Sequence, residues 1–448
     1  MNNIFQRHCH SNLPIAVKGD GIYLYDKLGK AYLDASGGAA VSCLGHSHPD
    51  VRAALHRQID QLAYAHTGFF NTDNALELAE KLTQAAPGNL NHVYFVSGGS
   101  EAIESALKLA RQYFVEKGES QRTQFVSRKQ SYHGNTLGAL AVGGNELRRA
   151  PFAPLLMPTE HISACFAYHN KLESESYFDY GQRTANELET RLLEMGPDTV
   201  IAFIAEPVVG ATAGAVTAEE GYFKRIREIC DQYGVLLILD EVMCGMGRTG
   251  TLFAHEQEDI HADIVTIAKG LGAGYQPIGA MIATSEIHNT ISQGSGFFQH
   301  GHTYMGHATA MAGSLAVLNA FEKEALLPRV QEAGDILQTR LSERFTDHPF
   351  VGDIRGRGLF RAVELIADKD TKRPFSTASN LHTQIKERAM DLGLICYPMS
   401  GTIDGKNGHH ILLAPPFIIS NTQIDELTEK LFESVDSVTQ SLFKEGMY

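Results

Sequence analysis

The sequence predicts an α/β protein. A large domain is built on a mostly parallel sheet flanked by helices, and a smaller α+β domain is drawn from both chain ends. Three observations predict this. The runs VIAFIAEP (200–207), GVLLILDEV (234–242) and DIVTIAKG (263–270) are short and almost wholly apolar, as strands buried on both faces are. Helix-like stretches lie between many of the strands, which is the rhythm of a parallel sheet. After about residue 330 that rhythm gives way to isolated helices, the segment VGDIRGRGLFRAVEL and a glycine-rich stretch.

The elements follow in order. GIYLYDKLGKAYLDASGG (21–38) alternates as a hairpin, with Tyr23, Tyr25, Ala31 and Leu33 flanking the turn at Lys27–Lys30. Helices are expected over 49–63, 72–86, 100–114 and 219–233, and strands over 92–97 and 123–127. Further helices are expected near 329–346 and 378–392, followed by GLICYP, a loop over 400–410 and HILLAPPFII. A chain of 448 residues exceeds one simple core. The expected division is a large domain at 60–328 and a discontinuous small domain from 1–59 and 329–448.

Composition narrows the function. With 38 basic and 52 acidic residues the formal net charge is −14, which argues against a nucleic-acid footprint or a polybasic membrane anchor. The six cysteines are scattered, with no C-x-x-C pair, so neither a zinc site nor a disulfide framework is indicated. The histidine pairs in HCH (8–10) and GHSH (45–48) have no second ligand cluster at suitable spacing, so no metal is expected. MNNIFQRHCH lacks an apolar signal core, and no apolar run approaches a membrane span. A cytoplasmic location is expected.

Ligands of open α/β sheets bind beyond the carboxyl ends of the strands, and those ends carry unusual residues here. The first is followed by SGGSEAIESALKLAR, where Gly98 and Gly99 permit a tight turn and Ser100 is the expected N-cap. A helix N-terminus there offers free N–H groups to an anion. Other strand ends lead to Tyr132 and His133, to Glu206, to Asp240 and to Lys269. A lysine closing an apolar strand, in IVTIAKGLGAGYQPIGA, costs much to bury as an unpaired ammonium. The ordinary alternative is a strand-end lysine reaching out to water. Taken together, a lysine, a carboxylate, an anion site and an aromatic suit pyridoxal phosphate (PLP). Lysine would form its Schiff base, aspartate hold the pyridinium proton, the helix end the phosphate, and the aromatic cover the ring.

FVSGGSEAIESALKLAR, SYHGNT, AEPVVG, LILDEVMCGMGRTG, TIAKGLGAGYQPIGA and HGHTYMGHATA resemble, in order, the signatures of class III (ω-aminotransferase group) PLP-dependent aminotransferases. YLDASGG, LGHSHPDV, RGRGL and LLAPPFII extend the resemblance over nearly the whole chain. The resemblance implies PLP fold type I and a homodimer with sites at the subunit interface. It implies Lys269 as Schiff-base lysine, Asp240 as partner of the pyridine nitrogen, and Gly99 and Ser100 at the phosphate. It implies Tyr132 on the ring with His133 beside it, Val242 behind it, and Thr303 reaching the phosphate of the other subunit. The implied substrates are an amine or ω-amino acid donor and a 2-oxo acid acceptor such as pyruvate.

The chain departs from that pattern on the substrate side. Two positions where relatives place a carboxylate-binding arginine hold Tyr397 and Ile411, so Glu206, aligned with a switch glutamate, lacks its partner. Met243 stands where many members have glutamine. Candidates for the substrate side are Phe69, Phe70, Tyr397, Lys406, His409 and His410, with Arg148 and Arg149. The same lysine and aspartate would also serve a racemase, aminomutase or decarboxylase. A non-catalytic phosphate or nucleotide binder using the helix at Gly99 is the alternative from another class.

Overall fold

The structure is a computed structural model that describes residues 3–9 and 12–446. His10, one member of the HCH pair, lies outside the described residues. Seven strands form the central sheet in the order Leu90–Val96, Gly279–Thr284, Ile264–Ile267, Leu236–Asp240, Val200–Ala205, Gln124–Arg128, Thr159–Ile162. All run parallel except Gly279–Thr284, which is antiparallel to both neighbours. Every residue of Val200–Ala205 and of Leu236–Asp240 is buried, as strands covered on both faces must be.

Helices supply that cover by turning apolar faces to the sheet. In Gly99–Glu116 the buried residues Ala102, Ile103, Ala106, Leu107, Ala110, Tyr113 and Phe114 recur at helical spacing. The strand Gly279–Thr284 was not anticipated from the sequence. Its segment GAMIAT follows Lys269 so closely that it reads as a continuation of the glycine-rich turn. By inserting antiparallel, it places Gln276, Pro277 and Ile278 at the same sheet edge as the parallel strands' carboxyl ends.

Both chain ends meet in a second sheet. The strands Ala16–Asp20, Tyr23–Asp26 and Ala31–Asp34 form an antiparallel meander, and Leu394–Ile395 pairs parallel to its last strand. Tyr23 faces Leu33 and Tyr25 faces Ala31, the hairpin register the alternation predicts. A third, antiparallel sheet has the order Val351–Arg357, Phe360–Leu365, His409–Leu413, Tyr397–Ser400. Two long helices, Leu326–Phe345 and Asn421–Lys444, pack together, and a Ser420/Gln423 capping box starts the second.

The expected loop over 400–410 is shorter than the sequence suggests. His409 and His410 begin the strand His409–Leu413, paired opposite Leu365 and Glu364. Polar residues there hide the strand from a pattern reading, and one ring nitrogen is satisfied inside, where His410 Nδ1 meets Thr402 Oγ1 at 2.7 Å.

A buried ionic group fastens the third sheet to the segment at Ala213 and Gly214. Arg355 donates to Asp353 at 2.9 Å, to Glu364 at 2.5 Å, and to the carbonyls of Gly214 and Ala213 at 2.7 and 2.5 Å. His169 also bonds Glu364, which is 1% exposed. Burial pushes the Glu364 carboxyl up, but Arg355 and His169 outweigh it and hold it below the ordinary 4.5. Removing one member strands the others' charge, so Glu364→Gln should destabilise by about 3–5 kcal/mol. Chemical denaturation measures it. A depressed carboxylate stabilises the fold above its unfolded pKa, and that contribution is lost as pH falls through the folded value. The wild-type protein should therefore lose stability below about pH 4.5 more steeply than Glu364→Gln.

Candidate active site

The carboxyl ends of the parallel strands surround a cavity of about 260 Å³. Its wall includes Gly98, Gly99, Ser100, Tyr132, His133, Glu206, Asp240, Val242 and Lys269. Nine residues singled out at strand ends, scattered over the sequence, thus face one space or its edge.

Asp240 ends a fully buried strand and is itself 3% exposed. Such a carboxylate stays ionised only if its lone pairs are used. His133 Nδ1 lies 2.7 Å from Oδ2, the Val242 N–H donates to Oδ1 at 3.0 Å, and the Thr266 hydroxyl lies 3.4 Å from Oδ1. His133 Nε2 is buried with no hydrogen-bond partner among the described residues.

Lys269 follows the neighbouring strand, whose Thr266 is paired with Asp240. Its φ of +41° is left-handed, a strained conformation for a residue with a side chain. The turn continues through Ala273 and Gly274, also at positive φ. Burial lowers the Lys269 ammonium below its ordinary 10.5, while Asp240 and Glu206 act in the opposite direction. No carboxylate among the described residues forms an ion pair with it.

The helix Gly99–Glu116 aims its N-terminus at the cavity. Gly98 occupies the N-cap position, so the expected capping role of Ser100 is corrected: Ser100 sits inside the first turn. Its hydroxyl bonds Asn135 instead, 3.2 Å from the side-chain oxygen and 3.1 Å from the main-chain nitrogen. Glycine is required nearby on steric grounds. A Cβ on Gly99 would lie 2.7 Å from Val242, and one on Gly134, at φ +139°, would lie 2.5 Å from Ser100 Oγ.

Glu206 is buried and does not await an arginine. Its two carboxylate oxygens accept the N–H groups of Tyr132 at 3.0 Å and Gly210 at 2.8 Å. Burial raises its carboxyl above the ordinary 4.5. Glu206 thereby fixes the main chain of Tyr132 in the wall. The Arg148 guanidinium lies 4.6 Å from the centre of the Tyr132 ring.

None of the remaining candidates is part of this wall, although Tyr397 packs beside its residue Met243. His409 and His410 are buried in their strand, and burial pushes their pKa values down to about 4 and about 3. Both are neutral at physiological pH, so neither supplies a cation for a substrate carboxylate, which corrects that expectation. Lys406 is exposed at the tip of the 401–408 loop, and Tyr397 is half-buried against the cluster around Met243. Thr303 is exposed, its carbonyl accepting the Tyr64 hydroxyl at 2.7 Å. Phe69 and Phe70 are exposed. Wall residues not singled out include Gln276, Pro277, Ile278, Val41 and Ala211. The unanticipated strand explains the first three, and the others carry no chemistry that a sequence pattern could flag.

The site suits PLP on its own geometry. The glycine cradle, the helix N-terminus, the buried carboxylate and a lysine without an ion-pair partner match phosphate, ring nitrogen and aldehyde. Comparison with known proteins agrees. The family model "Aminotransferase class-III" matches residues 4–435. An uncharacterized aminotransferase of Schizosaccharomyces pombe is 43% identical over 442 residues, covering 98% of this chain and 96% of the relative. A thermostable (S)-enantioselective omega-transaminase from Thermomicrobium roseum superposes with a TM-score of 0.90 at 35% identity, over 95% of this chain and 93% of that one. The omega transaminase of Pseudomonas jessenii in complex with PMP superposes with a TM-score of 0.91 at 32% identity, over 97% of both chains. The chain belongs to the class III aminotransferases and has the fold of PLP-dependent transaminases.

Proposed function

We propose that this aminotransferase moves an amino group from an amine or ω-amino acid to a 2-oxo acid such as pyruvate, with PLP held in the cavity at the strand ends. The observation that carries the reading is the placement of Lys269 and Asp240. They follow neighbouring parallel strands and line one cavity with the N-terminus of Gly99–Glu116. The ω-transaminase relationship supports the amine side of the donor range.

When bound, PLP supplies the carbonyl that takes the amino group and the ring that accepts the electrons of a departing proton. The chain's own residues do the rest. Asp240, held by His133 and Val242, offers a fixed negative charge to the ring nitrogen and keeps a proton there. The main-chain N–H groups at Gly99 and Ser100, in the first turn of the helix, would hold the phosphate. Tyr132 and Val242, both in the cavity wall, would flank the ring. Lys269 is the residue that would hold the cofactor through its side-chain amine. The freed side chain would serve to move a proton, a role that needs the neutral amine burial favours.

We propose further that the chain works as a cytoplasmic homodimer. Phe69, Phe70, Phe297 and Tyr304 are 80%, 67%, 61% and 63% exposed, apolar surface that subunit contact would cover. Thr303 adjoins Tyr304 and would reach the partner's phosphate site. The six free cysteines, five of them buried, suit a reducing compartment. Sedimentation velocity should give twice the 49.0 kDa chain mass, and a monomer retaining full activity would overturn the dimer.

Four experiments test the chemistry. Borohydride reduction of the holoenzyme followed by peptide mapping should place the cofactor's mass on Lys269, and label on another lysine would sink the assignment. Lys269→Ala should retain the fold and lose transamination by ~10⁴-fold. Donor alone should convert the bound cofactor once and stop, whereas continued turnover without an acceptor would indicate a racemase or decarboxylase. Gly134→Ala, forced against Ser100, should weaken PLP binding on the order of tenfold or more in a fluorescence titration.

A further inference from the structure

The structure leaves one problem of recognition open. Tyr397 and Ile411 occupy the two positions where an arginine is looked for, and Ile411 is fully buried in the strand His409–Leu413. Glu206 has spent both oxygens on main-chain N–H groups. A chain of formal charge −14 disfavours anionic substrates unless a local cation draws them in.

The candidates separate by what their charges already do. Arg149 is consumed: it donates to the carbonyls of Ala141 and, at 2.6 Å, Gly143, and lies 3.1 Å from His161. Arg148, its neighbour, is not. Its guanidinium pairs with no carboxylate among the described residues and is held by the Tyr132 ring face alone. The side chain is half-buried, so its charge is less screened than that of a surface arginine.

Its position is built from below. Asn145 caps the short helix Glu146–Arg149, its side-chain oxygen accepting the Arg148 N–H at 3.3 Å. The Asn145 amide donates to Gln130 Oε1 at 3.1 Å. Gln130 in turn holds the carbonyls of Gly401 and Thr402 at 2.7 and 2.9 Å, and its own carbonyl accepts the Thr212 hydroxyl at 2.6 Å. Gln130 thus ties the Arg148 turn to the loop that carries Lys406 and to the segment after Glu206, one residue beyond the wall residue Ala211.

We propose that Arg148 holds the substrate carboxylate, making it the specificity-determining residue for amino-acid and 2-oxo-acid substrates of this enzyme. The assignment rests on the aminotransferase reading above. The physical reasons are three. Tyr132 is a wall residue of the cavity, and the Arg148 guanidinium packs on its ring one side chain behind that wall. A guanidinium meets a carboxylate through two parallel N–H···O bonds. The aromatic face fixes the plane of the fork without using its donors.

The test compares matched donors in the half-reaction without 2-oxo acid: β-alanine against propylamine and 4-aminobutyrate against butylamine, where methyl replaces carboxylate. In Arg148→Gln the kcat/KM ratio of carboxylated to uncarboxylated donor should fall ~10-fold, chiefly through KM. Arg148→Lys should retain part of the ratio, because it keeps the charge and loses the fork. An unchanged ratio, or equal losses for both donors of a pair, would overturn the proposal. Silence of the wild-type enzyme toward every donor would count against the proposed function instead. Propanoate binding by ligand-observed NMR still decides in that case: weaker binding in Arg148→Gln supports the role, and equal binding overturns it.

Discussion

The site is organised around a carboxylate that should not be buried. Asp240 stands at the end of an all-buried strand in the middle of the central sheet, and the interior tolerates its charge only with partners in place. Those partners dictate much of the surroundings. His133 must arrive from the end of a strand two places away, which fixes the SYHGNT turn. The Val242 N–H must fold back, which brings the Val242 side chain against Gly99 and sets where the helix N-terminus lies. Thr266 joins from the next strand and aligns the one that delivers Lys269.

Glu206 repeats the arrangement with a different purpose. Its carboxylate is used on main-chain N–H groups, and it orients an aromatic. Two buried carboxylates therefore act on the two ends of one turn: Glu206 holds Tyr132, and Asp240 holds His133. The turn is fixed from below before any ligand arrives, and ordering it on binding would cost entropy that this arrangement avoids.

The legible parts of the molecule were those in which chemistry and period coincide. Apolar runs ending in Asp240 and Lys269 were readable because a charge after such a run has few explanations. The hairpin register was readable from alternation alone. What stayed hidden had no such contrast. GAMIAT is a strand of small residues directly after a flexible turn, with nothing to mark its start or its antiparallel direction. His409 and His410 looked like loop residues because the sequence shows polarity, not the Thr402 hydroxyl that satisfies one ring. Ser100 has the chemistry of a cap, but Gly98 takes the cap because the chain there is fully extended, with φ 177° and ψ 175°. Partners distant in sequence decide such cases, and no local pattern records them.

The seam between the third sheet and the segment 210–214 bears on the site as well as on stability. Arg355 grips the carbonyls of Ala213 and Gly214, in the segment whose Gly210 N–H serves Glu206 and whose Ala211 lines the cavity. The same segment bonds Gln130, and through Asn145 that residue holds the turn bearing Arg148. One run of chain, 210–214, is therefore shared by the domain seam, the Tyr132 anchor and the Arg148 turn. A small shift of the third sheet would move all three together, because packed interiors transmit displacement instead of absorbing it. Through Glu206 and the Tyr132–His133 turn the same segment also reaches the Asp240 carboxylate, so the cofactor side of the site shares this anchor.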